Sequence, residues 1–159
     1  MPRLGVMILC LTILLMGGRA PALGDFCEGL DAILESAETG FSAVRGDLIS
    51  EQQDPLGATR VLWLCTQVLT GAKTCEVEWM HQAFSYNTFW HKQDERGNEE
   101  AFEALVELLN ECGLSAKEQS KSGRSIWFVV EGEPNLDVVL AYNARRVRLS
   151  MTTAGFPHP

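Results

Sequence analysis

The sequence lacks the short motifs that mark the common catalytic and cofactor sites. It contains no G-x-S-x-G segment, no H-E-x-x-H segment and no glycine-rich phosphate loop. Those motifs are typical of α/β-hydrolases, zinc proteases and nucleotide-binding proteins. No two cysteines have the spacing of about two to four intervening residues that structural zinc sites favour. We therefore predict no catalytic residue, no cofactor and no metal ion, and the sequence favours a binding protein over an enzyme.

Basic residues are scarce. The chain has 13 Lys and Arg against 21 Asp and Glu, a formal net charge of −8. A strongly acidic domain repels phosphate groups, so a nucleic acid partner is not expected. The one basic cluster is Arg145, Arg146 and Arg148. In an acidic chain, such a cluster is a candidate site for an anionic group on a partner.

The apolar run near the N-terminus is too short to span a bilayer, which needs about 20 residues. Leu4–Met16 holds 13 residues, follows one arginine, and is followed by small residues three and one positions before Asp25. This arrangement is typical of a cleaved signal peptide. We expect residues 1–24 to be removed, and the mature chain, 25–159, to be secreted or periplasmic without a membrane span. Loss of two arginines leaves 11 basic against 21 acidic residues, a net charge of −10.

Five cysteines become four if Cys10 leaves with the signal peptide. The remaining four are Cys27, Cys65, Cys75 and Cys112. An even number in an exported chain indicates two disulfides, for which three connectivities exist.

Hydrophobic periodicity predicts two helices and six strands. Apolar residues recur at helical spacing in two segments, and runs of β-branched and aromatic residues bounded by turn residues indicate the strands. The predicted helices cover about 25–44 and 99–112, and the predicted strands cover 60–68, 73–79, 83–91, 125–130, 137–142 and 146–152. The polar segments 47–57 and 114–124 are predicted to be loops.

This order predicts one disulfide-linked α+β domain over 25–159. We expect an antiparallel sheet of about five to six strands in the order α-βββ-α-βββ, with both helices packed on one face. The repeated order is also what a duplicated α-βββ unit would produce.

A three-residue turn ending in Gly71 predicts the register of the first hairpin. It places Trp63 opposite Val77 and Cys65 opposite Cys75. Opposed residues of antiparallel strands are close enough for a disulfide, so Cys65–Cys75 is favoured. Cys27 and Cys112 then remain, each on the flank of a helical apolar stripe, and are predicted to join the two helices.

Charged residues on two strands are candidate binding residues. Glu76 and Glu78 alternate and therefore share a face, as do Arg146 and Arg148. These residues either bind a charged group on a partner or form ordinary solvated pairs across the sheet. His81 and His91 flank the third strand, roughly 33 Å apart along it, and are expected to be solvated strand ends.

The leading hypothesis is an exported, non-catalytic binding protein that acts on another protein as an inhibitor, immunity or adaptor protein. One alternative is a small secreted hydrolase, whose site residues would come from scattered positions such as Glu76, Glu78, His81 and His91. A second alternative is a small-molecule carrier, which would need an apolar cavity between the helices and the sheet.

Overall fold

Two helices are each followed by four antiparallel strands, so the fold is α+β, as predicted. The computed structural model describes residues 23–53, 55–92, 94–133 and 135–159. No helix among these residues is long and apolar enough to cross a membrane. The expected signal peptide lies outside them, apart from its last two positions. In chain order the elements are α1 (Leu23–Ser36), β1 (Arg45–Gln53), β2 (Thr59–Cys65), β3 (Thr74–Met80), β4 (Ala83–Trp90), α2 (Glu95–Glu111), β5 (Ser115–Gln119), β6 (Ser125–Val129), β7 (Leu136–Tyr142) and β8 (Val147–Ala154).

The predicted count of five to six strands is wrong, because the sheet has eight. The two strands that were not predicted, β1 and β5, lie largely within the segments 47–57 and 114–124 that were expected to be loops. Both form the outer edges of the sheet and most of their residues are exposed. A strand with no buried face needs no apolar alternation, so its sequence carries no strand signal.

The first helix is shorter than predicted, ending at Ser36 rather than near 44. Gly40 and Phe41 both adopt positive φ, of 63° and 60°, which ends the helical path. Two short 3₁₀ turns, 37–39 and 42–44, continue the chain. Most of the apolar stripe is nevertheless buried, because these turns keep Phe41 against the core; its buried residues are Phe26, Leu30, Ile33, Ala37, Phe41 and Val44.

The second helix begins four residues earlier than predicted. Its N-cap is Asp94, whose side chain accepts a hydrogen bond from the Gly97 amide at 2.7 Å. Asn98, which directly precedes the predicted start at 99, is instead fully buried inside the first turns. Its side chain accepts from the Lys92 amide and donates to the Asn143 carbonyl, each at 3.1 Å. Both residue types make good caps, and tertiary contacts assign Asn98 to a different role.

All eight strands form one antiparallel sheet in the order β1-β2-β3-β4-β8-β7-β6-β5. Buried residues of both helices, such as Phe26 and Phe102, join alternate residues of the strands in one core. Because side chains alternate between the two faces of a strand, both helices cover the same face of the sheet. This layer arrangement agrees with the prediction.

The last three strands of each half, β2–β4 and β6–β8, are related by a constant shift of 63 residues, which the helices and the edge strands β1 and β5 do not share. Trp63 pairs with Val77 in the first half, and Ile126 pairs with Leu140 in the second. The same shift converts the β3–β4 register into the β7–β8 register. The central β4–β8 pairing is consistent with this shift. Adding 63 to each β4 residue and subtracting 63 from its β8 partner gives another pair of the same register. The registers of these six central strands thus fit an approximate twofold axis at the centre of the sheet.

Candidate binding face

The sheet face opposite the helices is called the open face. It is formed by the strand residues that alternate with the core residues. On the six central strands these include Leu62, Leu64, Glu76, Glu78, Ser85, Asn87, Phe89, Arg148, Ser150, Thr152, Asp137, Val139, Ala141, Ser125, Trp127 and Val129.

The centre of the open face is polar and internally hydrogen bonded. Ser150 Oγ donates to Asn87 Oδ1 at 2.7 Å, and the hydroxyls of Ser85 and Thr152 lie 2.9 Å apart. Both interactions join β4 to β8. Asn87 is buried although it lies on a face without a helix. These side chains satisfy one another, so they form a fixed floor.

An acidic group lies on the β3 side of this floor. Glu78 forms an ion pair with Arg60 of β2. Within the described residues, Glu76 has no cation close enough for an ion pair. Partial burial raises the pKa of Glu76, and repulsion from Glu78 adds to this effect; Arg60, Arg146 and Arg148 lower it. Glu76 is therefore a partly desolvated carboxyl group without a fixed partner.

A basic group lies at one end of β8. The guanidinium of Arg146 lies 4.4 Å from the centre of the Phe89 ring, a cation–π distance. Phe89 is 5% exposed and does not belong to the core beneath the helices. Arg148 is exposed and pairs with Phe89 across the β4–β8 ladder. One arginine thus covers the Phe89 ring, and the other is paired with Phe89 across the ladder.

Apolar side chains flank the polar centre on both sides. Leu64 of β2 is 52% exposed, and Trp127 and Val129 of β6 are 37% and 46% exposed. Leu64 and Trp127 occupy equivalent positions in the two halves, because they are 63 residues apart. A shallow pocket of about 260 Å³ adjoins Trp127 and Val129.

The structure places the four predicted binding residues, Glu76, Glu78, Arg146 and Arg148, on or beside the open face. Glu78 fits the ordinary alternative of an ion pair across the sheet, although its partner is Arg60 and neither Arg146 nor Arg148. All four belong to one continuous surface.

The two histidines of the alternative hydrolase hypothesis are not brought together. His81 lies in the two-residue turn between β3 and β4, with φ of 52°. His91 follows the other end of β4. Among the described residues, no group of three or more His, Cys, Asp and Glu could hold a metal ion.

The four cysteines lie in the two predicted pairs. Cys27 and Cys112 join α1 to the end of α2, with a Cα–Cα distance of 5.2 Å. Cys65 and Cys75 join β2 to β3, with a Cα–Cα distance of 5.7 Å. The helix-to-helix link closes 85 residues of sequence and the hairpin link closes 10.

Sequence reasoning did not identify the apolar part of the open face. Leu64 and Trp127 each lie in strands with apolar residues at successive positions, so alternation did not show which residues face the core. The missing information was the position of the helices, because both faces of such a strand look buried in the sequence.

Comparison with protein-family models, curated proteins and solved structures finds no match for this chain.

Proposed function

We propose that the chain is an exported, non-catalytic binding protein that holds another protein on its open face. The observation that supports this most directly is the exposure of Leu64, Trp127 and Val129 on a sheet face without a helix. Exposed apolar patches are typical of protein interaction sites. The two cysteine pairs at disulfide distance fit a compartment outside the reducing cytosol.

The open face favours a folded protein as the partner. Apolar residues on both sides of a flat polar centre suit a broad surface, whereas small molecules bind in concave sites. We expect Trp127 to be the main anchor, because tryptophan is enriched among residues that dominate binding energy. The adjoining pocket can accept one side chain of the partner.

The charged residues of the open face indicate which charges the partner carries. Arg148 is exposed and makes no ion pair with a described residue, so it is available to a carboxylate. Glu76 is available to a basic side chain. A matching partner therefore has apolar residues on either side of a polar centre and charges of both signs beside them, and such charges set orientation more than affinity.

The direct test is site-specific photo-crosslinking in the native host. A benzophenone amino acid at position 127 should link the chain to one protein, and the same group at Lys121, in the β5–β6 hairpin loop, should not. Binding of that protein, once purified, should weaken by about tenfold or more in Trp127→Ser. Val68→Ser, which alters an exposed residue in the β2–β3 loop, should leave it unchanged.

Three results would overturn the proposal. Equal crosslinking at positions 127 and 121 would show that contact is not specific to the open face. If Trp127→Ser bound the crosslinked protein with unchanged affinity, Trp127 would be excluded as the anchor. A crosslinked product with twice the mass of the chain would identify a second copy as the occupant.

Export has a separate readout. The intact mass of protein from the host should equal that of residues 25–159 less four hydrogens. A chain that retains residues 1–24, or that carries free thiols, would remove export from the proposal and leave the binding face unaffected.

A further inference from the structure

A groove on the helix side of the sheet lies between α2 and the β5–β6 hairpin. Its volume is about 520 Å³, within the range of roughly 300–1,000 Å³ that ligand sites occupy. Its apolar floor is formed by Phe102 and Val106 of α2, Ile126 of β6 and Tyr142 of β7. The rings of Phe102 and Tyr142 lie 4.9 Å apart. The groove is on the opposite face from Trp127 and is a separate surface.

One wall of the groove is acidic. Glu99, Glu103 and Glu107 occupy every fourth position of α2 and line the groove in a row. Glu99 accepts a hydrogen bond from the Tyr142 hydroxyl at 3.1 Å. None of the three glutamates forms an ion pair with another residue that the structure describes. The opposite wall carries no charge and consists of Gln119, Ser122 and Gly123.

Arg124 forms an ion pair at one end of this row of glutamates. Its Nη2 atom lies 2.8 Å from Glu95 Oε1, and its guanidinium lies 5.8 Å from the centre of the Tyr142 ring. Glu95 lies four residues before Glu99, so it extends the row of glutamates by one. The first carboxylate of the row is therefore neutralised by an arginine beside the aromatic floor, and the next three are not.

The first half of the chain contains an occupied counterpart of this position. Trp79 lies 63 residues before Tyr142, and the irregular C-terminal segment covers it. The Phe156 carbonyl accepts a hydrogen bond from Trp79 Nε1 at 3.4 Å, and the His158 ring lies 4.7 Å from the Trp79 ring. His158 Nε2 is also 3.8 Å from Glu51 Oε1. A segment without regular structure, carrying a basic ring, thus packs on the equivalent aromatic residue beside a carboxylate.

We propose that the groove binds an extended peptide segment of a partner protein, with basic side chains at alternate positions. Four residues of α2 advance about 6 Å, and two residues of an extended chain advance about 6.6 Å. Alternate basic side chains can therefore meet Glu99, Glu103 and Glu107 in turn. The intervening side chains then point away from the glutamates, toward the uncharged wall, and can be apolar. The site is independent of the open face.

The test uses a fluorescent synthetic peptide of alternating arginine and valine. Its anisotropy should rise with protein concentration, and the affinity should fall with salt, because the carboxylates are exposed. The double variant Glu103→Gln/Glu107→Gln should weaken binding by about tenfold. The control Glu28→Gln/Glu111→Gln removes the same charge from exposed helix positions outside the groove and should retain the affinity within about twofold.

Two further variants make the test decisive. Val106→Lys places a cation on the groove floor and should abolish binding, whereas Trp127→Ser should not change it. Equal losses in the two glutamine pairs would show attraction to the whole acidic chain and would overturn the groove. Undiminished binding to Val106→Lys would also overturn it, and neither result bears on the open face.

Discussion

Ser150 donates a hydrogen bond to Asn87 at 2.7 Å, and these two residues occupy the same position in the two halves of the chain. They are 63 residues apart and face each other across the central β4–β8 pair. The approximate twofold axis therefore passes between them. A duplicated unit would place identical residues here. The different side chains form a complementary donor and acceptor at the position where the axis crosses the β4–β8 pair.

Loss of that donor should be costly. Ser150→Ala leaves Asn87 Oδ1 without its partner, and Asn87 is 4% exposed. An unsatisfied buried polar atom costs about 1–3 kcal/mol, which urea denaturation can measure. Ser85→Ala is the matched control, since Thr152, the partner of Ser85, is only half-buried and can bond to water. Equal losses in the two variants would contradict a special role for the axis position.

The two disulfides should differ in their effect on stability. In the chain-entropy model, closing 85 residues contributes about 4.5 kcal/mol and closing 10 residues about 2.7 kcal/mol. Cys27→Ala/Cys112→Ala should therefore lower the free energy of unfolding more than Cys65→Ala/Cys75→Ala. Non-reducing peptide mapping of the native chain checks both pairs first. A larger loss for the hairpin pair would show that packing, and not loop closure, determines their contributions.

Glu76 should make stability depend on pH. Its pKa is raised in the folded state, mainly by burial and then by Glu78, so the folded chain binds more protons than the unfolded chain above the ordinary carboxyl pKa. Stability from this group is present at low pH and decreases as pH rises through the folded pKa. Glu76→Gln should therefore raise the melting temperature at pH 7 and have little effect at pH 4. A variant that is less stable at pH 7 would contradict this sign.

The turn between β3 and β4 should improve with a different sequence. His81 and Gln82 both have positive φ, 52° and 61°, in a two-residue hairpin loop. This is the pattern of a type I′ turn, for which Asn-Gly is the favoured pair. His81→Asn/Gln82→Gly should raise the free energy of unfolding by about 0.5–1 kcal/mol. A lower free energy of unfolding would mean that one of the native side chains contributes more than the turn strain costs.

Gly40 should tolerate no side chain. Its φ is 63°, and an added Cβ would lie 2.5 Å from Cδ2 of Phe84. Gly40→Ala should cost more than about 2 kcal/mol, because backbone strain and a core clash act together. Gly113→Ala separates the two effects, since φ is 91° there and no atom lies within 4 Å of the added Cβ. Similar losses for both variants would show that the Phe84 contact is unimportant.

The parts of the fold that could be predicted depend on local sequence. The Trp63–Val77 register follows from one turn and from the alternation of the strands beside it, and the structure has that register. The core stripe of α1 was also predicted, although the path of the chain after Ser36 was not. The positive φ of Phe41 depends on core packing, and no local sequence pattern predicts it.

The parts that could not be predicted depend on neighbours distant in sequence. The repeat is clear in the register, yet equivalent residues such as Glu76 and Val139 share no chemistry. Their common property is their place on the open face. The sequence likewise did not show which face of the sheet Trp127 lies on, because only the position of the helices decides which side of a strand is covered.

The two strands hidden from sequence analysis have a consequence for colloidal behaviour. A free sheet edge exposes unpaired backbone groups and is a template for aggregation. Here β1 ends in Glu51, Gln52 and Gln53, and β5 carries Lys117 and Glu118. Both edge ladders contain a register shift, and the apolar pair Leu48–Ile49 lies at the irregular part of β1. The polar residues that left β1 and β5 without a strand pattern also oppose edge-to-edge polymerisation. The chain should therefore remain dispersed at high concentration.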